Sequence, residues 1–334
     1  ENGSEISWDD TKKAVIMQGN VSDKCYVYFD IWIPSIAAYC TSGTDLATCV
    51  KNFGDQGPSV SNIYIHNSTL TNGAGDNSYR YAGANPNNFI CFGSDATTCP
   101  TDNLYRIIGV IDGKVKLIKY DYMTMTELGT GGDYAGSGTS VTSYYKGSLT
   151  SIDTYYWNYK ANTTINSGYG SNTWSTSLLN KTNLNTNFIN NIGSTWANKI
   201  ATTMWKVGGG SWSNIAESVP ATAYQNEVVN PVTTNTTDNA TTYSAKIGLM
   251  YVSDYGFAAD QSGWTTKLSS YSSNTSKNWL YLGSYEWTIS RDSGTTNYAF
   301  YVRGTGSVDV YSATISYAVR PSFNLESSVK YVSG

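Results

Sequence analysis

The chain has 334 residues, 21 basic against 25 acidic side chains, a net charge of -4 and only 14% charged residues. That balance excludes a basic field for nucleic acid and any long like-charged tail, so no nucleic-acid partner is expected. Aromatics reach 14%, led by 28 Tyr and 10 Trp on a background rich in Asn, Ser, Thr and Gly. This is the composition of an extracellular β-rich protein with a buried core, and no run approaches the roughly 20 apolar residues that would cross a bilayer.

The start at Glu1-Asn2-Gly3-Ser4, without an initiator Met, is expected of a mature or trimmed fragment, and the end at Gly334 looks equally arbitrary. Residues 1–32 carry Ala14-Val15-Ile16-Met17 and Cys25-Tyr26-Val27-Tyr28-Phe29 around a Gly19-Asn20 turn, which predicts the closing strands of a small β-module. Residues 33–75, with Pro34, Gly54, Gly57-Pro58 and Asn72-Gly73, read as a loop-rich connector.

All five cysteines fall in the first 99 residues. Cys40 and Cys49 flank a small polar stretch, as do Cys91 and Cys99, and both pairs are expected to be disulfides. Closing a loop of about ten residues stabilises by roughly 2–3 kcal/mol through the unfolded state. Zinc would need closely spaced cysteines or nearby histidines, and neither occurs, so no metal is expected there. Cys25 is left over and is expected to be unpaired within this chain.

From residue 76 to 334 the pattern predicts one large domain. Leu104–Ile111 and Lys114–Tyr120 are β-branched runs around Asp112-Gly113, the strongest short-range hairpin signal, because both turn positions want positive φ. Residues 127–147 are Gly/Ser/Tyr-rich and read as a long surface loop. Ser175-Thr176-Ser177 can cap a helix through Leu178, Leu179 and Leu184, with Phe188, Ile189 and Ile192 on its next turns. A strand at Ile200–Val207 ends at Gly208-Gly209-Gly210, and Lys246–Tyr251 reads as a central strand running into a helical turn at Asp254–Ala258. The expected fold is α+β and strand-dominated.

The last fifty residues alternate apolar with polar or aromatic positions in three short runs. Period-2 alternation sends Phe300, Val302, Val308 and Val310 inward and Tyr301, Arg303, Asp309 and Tyr311 outward, with Arg291 and Asp292 flanking. Tyrosine and arginine supply large contact area with a polar tip, so these six residues are the candidate ligand-binding set.

Several segments resemble a known but uncharacterised domain of surface proteins from gut Firmicutes and their phages. They are Asp76-Asn77-Ser78-Tyr79-Arg80-Tyr81, Cys91–Pro100, Asn103–Val110 and Lys246–Gly256. The closing Ala318-Val319-Arg320-Pro321-Ser322-Phe323-Asn324-Leu325 is similar to that domain's end and to the last strand of C-type-lectin-like domains diversified by retroelements. The opening segment, through Lys24–Phe29, is similar to the tail of a β-repeat that precedes it. The resemblance spans residues 76–332 and implies a C-type-lectin-like domain after a β-module remnant. In retroelement-diversified proteins, adenine-targeted mutation enriches Asn, Thr, Ser, Tyr and Asp, a bias that residues 292–316 share.

That fold also houses sulfatase-maturation enzymes, which need late cysteines, and none follows Cys99. His66 is the chain's one histidine and reads as a strand residue, which removes Ser/His/Asp and Cys/His catalysis. Asp254, Asp260, Glu286, Asp292 and Asp309 could supply the two carboxylates of a glycosidase, but scattered acids in a β-rich chain read rather as turn and loop residues. Calcium at Asp254, Asp260 and Asp292 lacks the tight acid spacing of a calcium loop. Among the tryptophans, Trp174, Trp205 and Trp279 sit beside Leu, Ile and Val and are expected in the core. The chain is therefore read as a non-enzyme without cofactor: an extracellular recognition module, on a bacterial or virion surface, for a cell-surface glycan or protein. The alternative is a self-assembling structural subunit of a surface fibre, pilus-like filament or phage virion.

Overall fold

A computed structural model describes residues 5–9, 11, 14–18, 35–129, 145–149, 152–159, 170–232 and 240–332, with backbone alone at 5–9, 14–18 and 145–149. The chain divides into two compact units, Glu1–Ile33 and Pro34–Gly334. In the first, β1 (Glu5–Asp9) pairs antiparallel with β2 (Ala14–Gln18). The expected turn partner of β2, Cys25–Phe29, lies outside the described residues, as does Cys25 itself.

The second unit is mixed α+β with antiparallel sheets. Its strands in chain order begin with β3 (Ile63–Ile65), β4 (Tyr79–Tyr81), β5 (Phe89–Cys91), β6 (Leu104–Ile111), β7 (Lys114–Lys119), β8 (Tyr145–Leu149) and β9 (Ile152–Tyr156). They continue with β10 (Thr203–Lys206), β11 (Thr242–Ala245), β12 (Ile247–Gly248), β13 (Glu286–Arg291), β14 (Tyr298–Val302), β15 (Val308–Ser312), β16 (Ser316–Tyr317) and β17 (Ser322–Asn324). The largest sheet has seven strands in the order β12-β17-β7-β6-β4-β3, with β5 also on β6. Two smaller sheets have three strands each, β13-β14-β15 and β16-β9-β8.

The hairpin β6–β7 turns at Asp112 (φ 51°) and Gly113 (φ 73°), as the Asp-Gly pair predicts. Both cysteine pairs close at disulfide distance, with Cα separations of 5.0 Å for Cys40–Cys49 and 5.7 Å for Cys91–Cys99.

Three expectations need correction. Residues 34–75 belong to the large unit rather than to a connector: helix Leu46–Gly54 buries Leu46, Val50 and Phe53 in the main core. Its N-terminus is clasped by the chain end, where Leu46 N donates to Val329 O (2.9 Å) and Lys330 pairs with Asp45 (2.6 Å). Ile247–Gly248 is the edge strand of its sheet, not a central one; Ile247 is buried by packing from outside the sheet, where Asn185 bonds its backbone. The stretch read as a loop over 127–147 begins in helix Met125–Leu128 and ends in β8; residues 130–144 lie outside the described residues.

The helix expected after Ser177 is present, with Asn180 N donating to Ser177 Oγ (3.3 Å). It runs as a π-helical stretch Leu179–Phe188 into helix Ile189–Ala197, burying Leu179, Leu184 and Phe188. Trp174, Trp205 and Trp279 are in the core.

Candidate functional site

The cross-strand register explains which side chains β14 and β15 send to one face. Tyr301 pairs with Asp309 and Ala299 with Tyr311, while Phe300 pairs with Val310 and Val302 with Val308. Directly opposed residues share a face, so Tyr301, Asp309 and Tyr311 lie together and Phe300, Val302 and Val308 lie beneath them, fully buried. Val310 is only half-buried, at the sheet edge.

The outward face is not uniformly exposed. Tyr301 is 3% exposed, because β14 is the central strand and aromatic neighbours cover it from both sides. Its ring centroid lies 4.7 Å from Tyr317, 6.0 Å from Tyr285 and from Trp287, and 6.4 Å from Tyr311. Burial raises its phenol pKa above the usual value. Tyr301 is the floor of the site and not part of its accessible surface.

Arg291 and Asp292 are also buried, against expectation. Arg291 Nη2 donates to Val232 O (3.2 Å). Asp292 organises a turn: its carboxylate accepts from Gly294 N (3.1 Å) and Thr295 Oγ1 (3.1 Å), and its Oδ1 accepts from Trp212 N (3.2 Å). Neither side chain is placed to meet a ligand.

That last bond brings in a residue the strand pattern could not indicate. The Gly208-Gly209-Gly210 break runs alongside Arg291–Ser293, with a parallel bridge between Gly210 and Asp292 and Ser293 N bonded to Gly210 O (3.0 Å). Trp212 follows immediately, exposed, and its indole Nε1 donates to Asp309 Oδ1 (3.2 Å). Asp309 Oδ2 takes the Arg303 guanidinium, and this partner raises the Arg303 pKa. Around the Trp212–Asp309–Arg303 chain stand exposed Tyr285, Tyr298 and Tyr311. Tyr298 and Tyr311 are nearly parallel (9°, 6.3 Å), and Tyr285 stacks on Tyr317 (19°, 5.2 Å). The result is an aromatic platform carrying one self-neutralised charge pair. The signal available in sequence was Tyr285 just before β13 and Tyr298 at the start of β14; nothing local marks Trp212.

The acids weighed for catalysis or calcium are engaged elsewhere. Glu286 is sealed with Arg320, whose Nε and Nη2 donate to its two oxygens at 2.8 and 2.9 Å. Asp260 caps the turn at Ser262, whose amide donates to it (2.9 Å). Asp254 is 2% exposed, held by Arg80 (3.1 Å), Lys116 (2.5 Å) and the amide of Tyr251 (2.9 Å). No group of three or more His, Cys, Asp or Glu that could hold a metal occurs among the described residues. His66 is buried between Phe257 and Trp264; its Nδ1 accepts from Ala74 N (3.0 Å) and its Nε2 has no partner among the described residues. Burial, then Arg80, lowers its pKa to about 3, so it stays neutral.

A separate cleft of about 450 Å³ is lined by Tyr120, Tyr122, Met123, Ile152, Asp153 and Leu282. Comparison of the chain with protein-family models, curated proteins and solved structures finds no match in any of the three. Among the described residues no helix is long and apolar enough to cross a membrane.

Proposed function

We propose that the chain is an extracellular recognition module, in a C-type-lectin-like fold, that binds a glycan or protein on another cell's surface through the platform of Trp212, Tyr285, Tyr298, Tyr311, Arg303 and Asp309. The observation that carries this reading is the platform itself. Four large aromatic side chains stay exposed around one ion pair, although Trp287, Phe300, Tyr301, Val302 and Val308 of the same sheet are buried. Exposed aromatic surface with a few fixed polar groups is what adhesive faces share: the rings give contact area, the polar groups give orientation. The reading assigns the platform no catalytic step: the histidine is sealed, and Asp254 and Glu286 are paired with Arg or Lys. Two cysteine pairs at disulfide distance support an oxidising location such as a bacterial cell surface or virion.

The test is a screen of the chain against a glycan array and intact host cells, repeated with Trp212→Ala and Tyr311→Ala. Binding that both substitutions abolish supports the reading. Binding that neither affects, with the chain eluting as a large assembly on size exclusion, would put the structural subunit in its place.

A further inference from the structure

Deep in the large unit, Arg80, Gly109 and Lys116 form one cross-strand row on β4, β6 and β7: Arg80 pairs with Gly109, and Gly109 with Lys116. Two cations thus flank a glycine. A Cβ at Gly109 would fall 2.0 Å from Tyr79 O, so no other residue fits there. Over this row sits Asp254, from helix Val252–Phe257, whose Oδ1 accepts from Arg80 Nη1 (3.1 Å) while Oδ2 lies 2.5 Å from Lys116 Nζ. Lys116 and Asp254 are 3% and 2% exposed. The Lys116 ammonium also lies over the rings of Tyr251 (4.5 Å) and Trp205 (5.4 Å), walls that exclude water. On the same helical turn Glu227, also buried, accepts from Ser253 N (2.6 Å), Val252 N (3.2 Å) and the Ser290 hydroxyl.

We propose that Lys116 and Asp254 condense into an intramolecular isopeptide bond, with Arg80 and Glu227 assisting. The geometry divides the labour. The Lys116 amine, having lost a proton, attacks Asp254 Cγ and forms the N–C bond. The Cγ–Oδ2 bond breaks, and that oxygen leaves as water. Of the three protons on the ammonium, one stays on the amide nitrogen and two depart with the water. Ammonium plus carboxylate thus becomes secondary amide plus water, with no change of oxidation state. Arg80 holds the oxygen that remains, so its guanidinium faces the oxyanion of the tetrahedral intermediate. Nitrogen and leaving oxygen are 2.5 Å apart, so the protons pass between them directly, and Glu227, seated on the Val252 and Ser253 amides beside Asp254, is the group assigned to ease that transfer; it ends unchanged.

The electrostatics run in the required direction. Burial, first among the causes, lowers the proton affinity of Lys116, and it raises the Glu227 pKa to about 7, with Asp254 adding to the rise. A buried amine that sheds its proton is a nucleophile, and a buried carboxylic acid that keeps one can donate it. Condensation also removes two charges from an interior where an ion pair gains little over an uncharged pair. The bond would tie β7 to the helix across 138 positions of sequence.

The test is the intact mass of the full chain, reduced and denatured. The expected mass is lower than the sequence mass by one water, and a tryptic digest should yield one branched peptide joining the Lys116 and Asp254 segments, with no cleavage after Lys116. Lys116→Met should restore the full mass, and Glu227→Gln should leave most of the chain unlinked. The full mass in the unsubstituted chain, with normal cleavage after Lys116, would overturn the bond and leave an ion pair; that measurement needs no variant to fold. A water loss that survives Lys116→Met would overturn it equally, because it would lie elsewhere, as at a cyclised Glu1. Complete linkage in Glu227→Gln would remove Glu227 from the reaction.

Discussion

The molecule uses the same ingredients, aromatic rings around a carboxylate and its cation, in two places with opposite settings. At the platform, Asp309 and Arg303 meet at the surface between Trp212 and Tyr311, and water screens them. At the buried row, Asp254 meets Arg80 and Lys116 beneath Tyr251 and Trp205 with almost no exposure. An exposed pair contributes little to stability and can exchange its partner for a ligand. A buried one cannot be broken without stranding a charge in a medium that solvates it poorly. On the proposed reading, the same residue types therefore serve recognition in one region and cohesion in the other.

The sharpest way to break the comparison is to remove the shared carboxylate on each side. Asp254→Ala strands two buried cations and should destabilise by about 3–5 kcal/mol or more in chemical denaturation. Asp309→Ala should cost under about 1 kcal/mol. Comparable losses would mean that the two pairs differ less in solvation than their burial implies.

A pH series sharpens the buried side. Glu227 has a folded pKa raised from 4.5 to about 7, so its contribution is full below 4.5 and is lost as pH rises through 7. His66 has a folded pKa lowered from 6.5 to about 3, so its contribution is present above 6.5 and is lost as pH falls through 3. Between about pH 4.5 and 6.5 the two oppose each other. Relative to the unsubstituted chain in that window, stability of Glu227→Gln should climb more steeply with pH, whereas that of His66→Gln should tilt downward. Urea midpoints that shift in parallel at every pH in all three proteins would refute both assignments.

The next effect is local. A Cβ at Gly113 would touch nothing within 4 Å, so the cost of Gly113→Val comes from its φ of +73° alone. It should be about 1–2 kcal/mol, and Gly113→Asn, which tolerates that region, should recover most of it. Equal midpoints for the Val and Asn variants would show that the turn relaxes to another form.

That hairpin and the two short cysteine loops were legible in the sequence because their causes are local: a turn dipeptide, a spacing, a polar stretch. Alternation in β14 and β15 likewise assigned faces correctly, with Phe300, Val302 and Val308 inside. Exposure was another matter. Whether Tyr301 sees solvent depends on Tyr285, Trp287 and Tyr317, and whether Asp292 does depends on Trp212, 80 positions away. A period of two gives the side of a sheet but not what lies on top of it. The row of Arg80, Gly109, Lys116 and Asp254 was hidden for a related reason: charged residues in strands read as surface, and only long-range pairing buries them. Two of the segments behind the family resemblance, Asp76–Tyr81 and Lys246–Gly256, supply Arg80, Asp76 and Asp254 to that network, which gives their residue types a structural cause.

The smallest expected change in stability tests the functional half of the comparison. Tyr311 is 48% exposed, and its ring rests against Tyr298 and Tyr301 without filling the core. Trp212 makes one side-chain hydrogen bond, to Asp309, while its place in the chain is fixed through its backbone amide by Asp292. Removing either side chain leaves Asp292, the bridge at Gly210 and the floor of Tyr301, Tyr317 and Trp287 intact. Tyr311→Ala and Trp212→Ala should each shift stability by no more than about 0.5 kcal/mol, the range of ordinary surface substitutions. On the recognition reading each should weaken ligand binding by about 1–2 kcal/mol or more, because exposed aromatic anchors carry most of an adhesive contact. Asp292→Ala supplies the cross-check, since it releases the Trp212 backbone without touching the platform's exposed atoms. Loss of binding there, with Trp212 fluorescence shifted toward the solvated indole, would show that Asp292 acts by holding Trp212 in place. Unchanged binding in all three variants would remove the platform from recognition and leave its tyrosines as packing for a neighbouring copy.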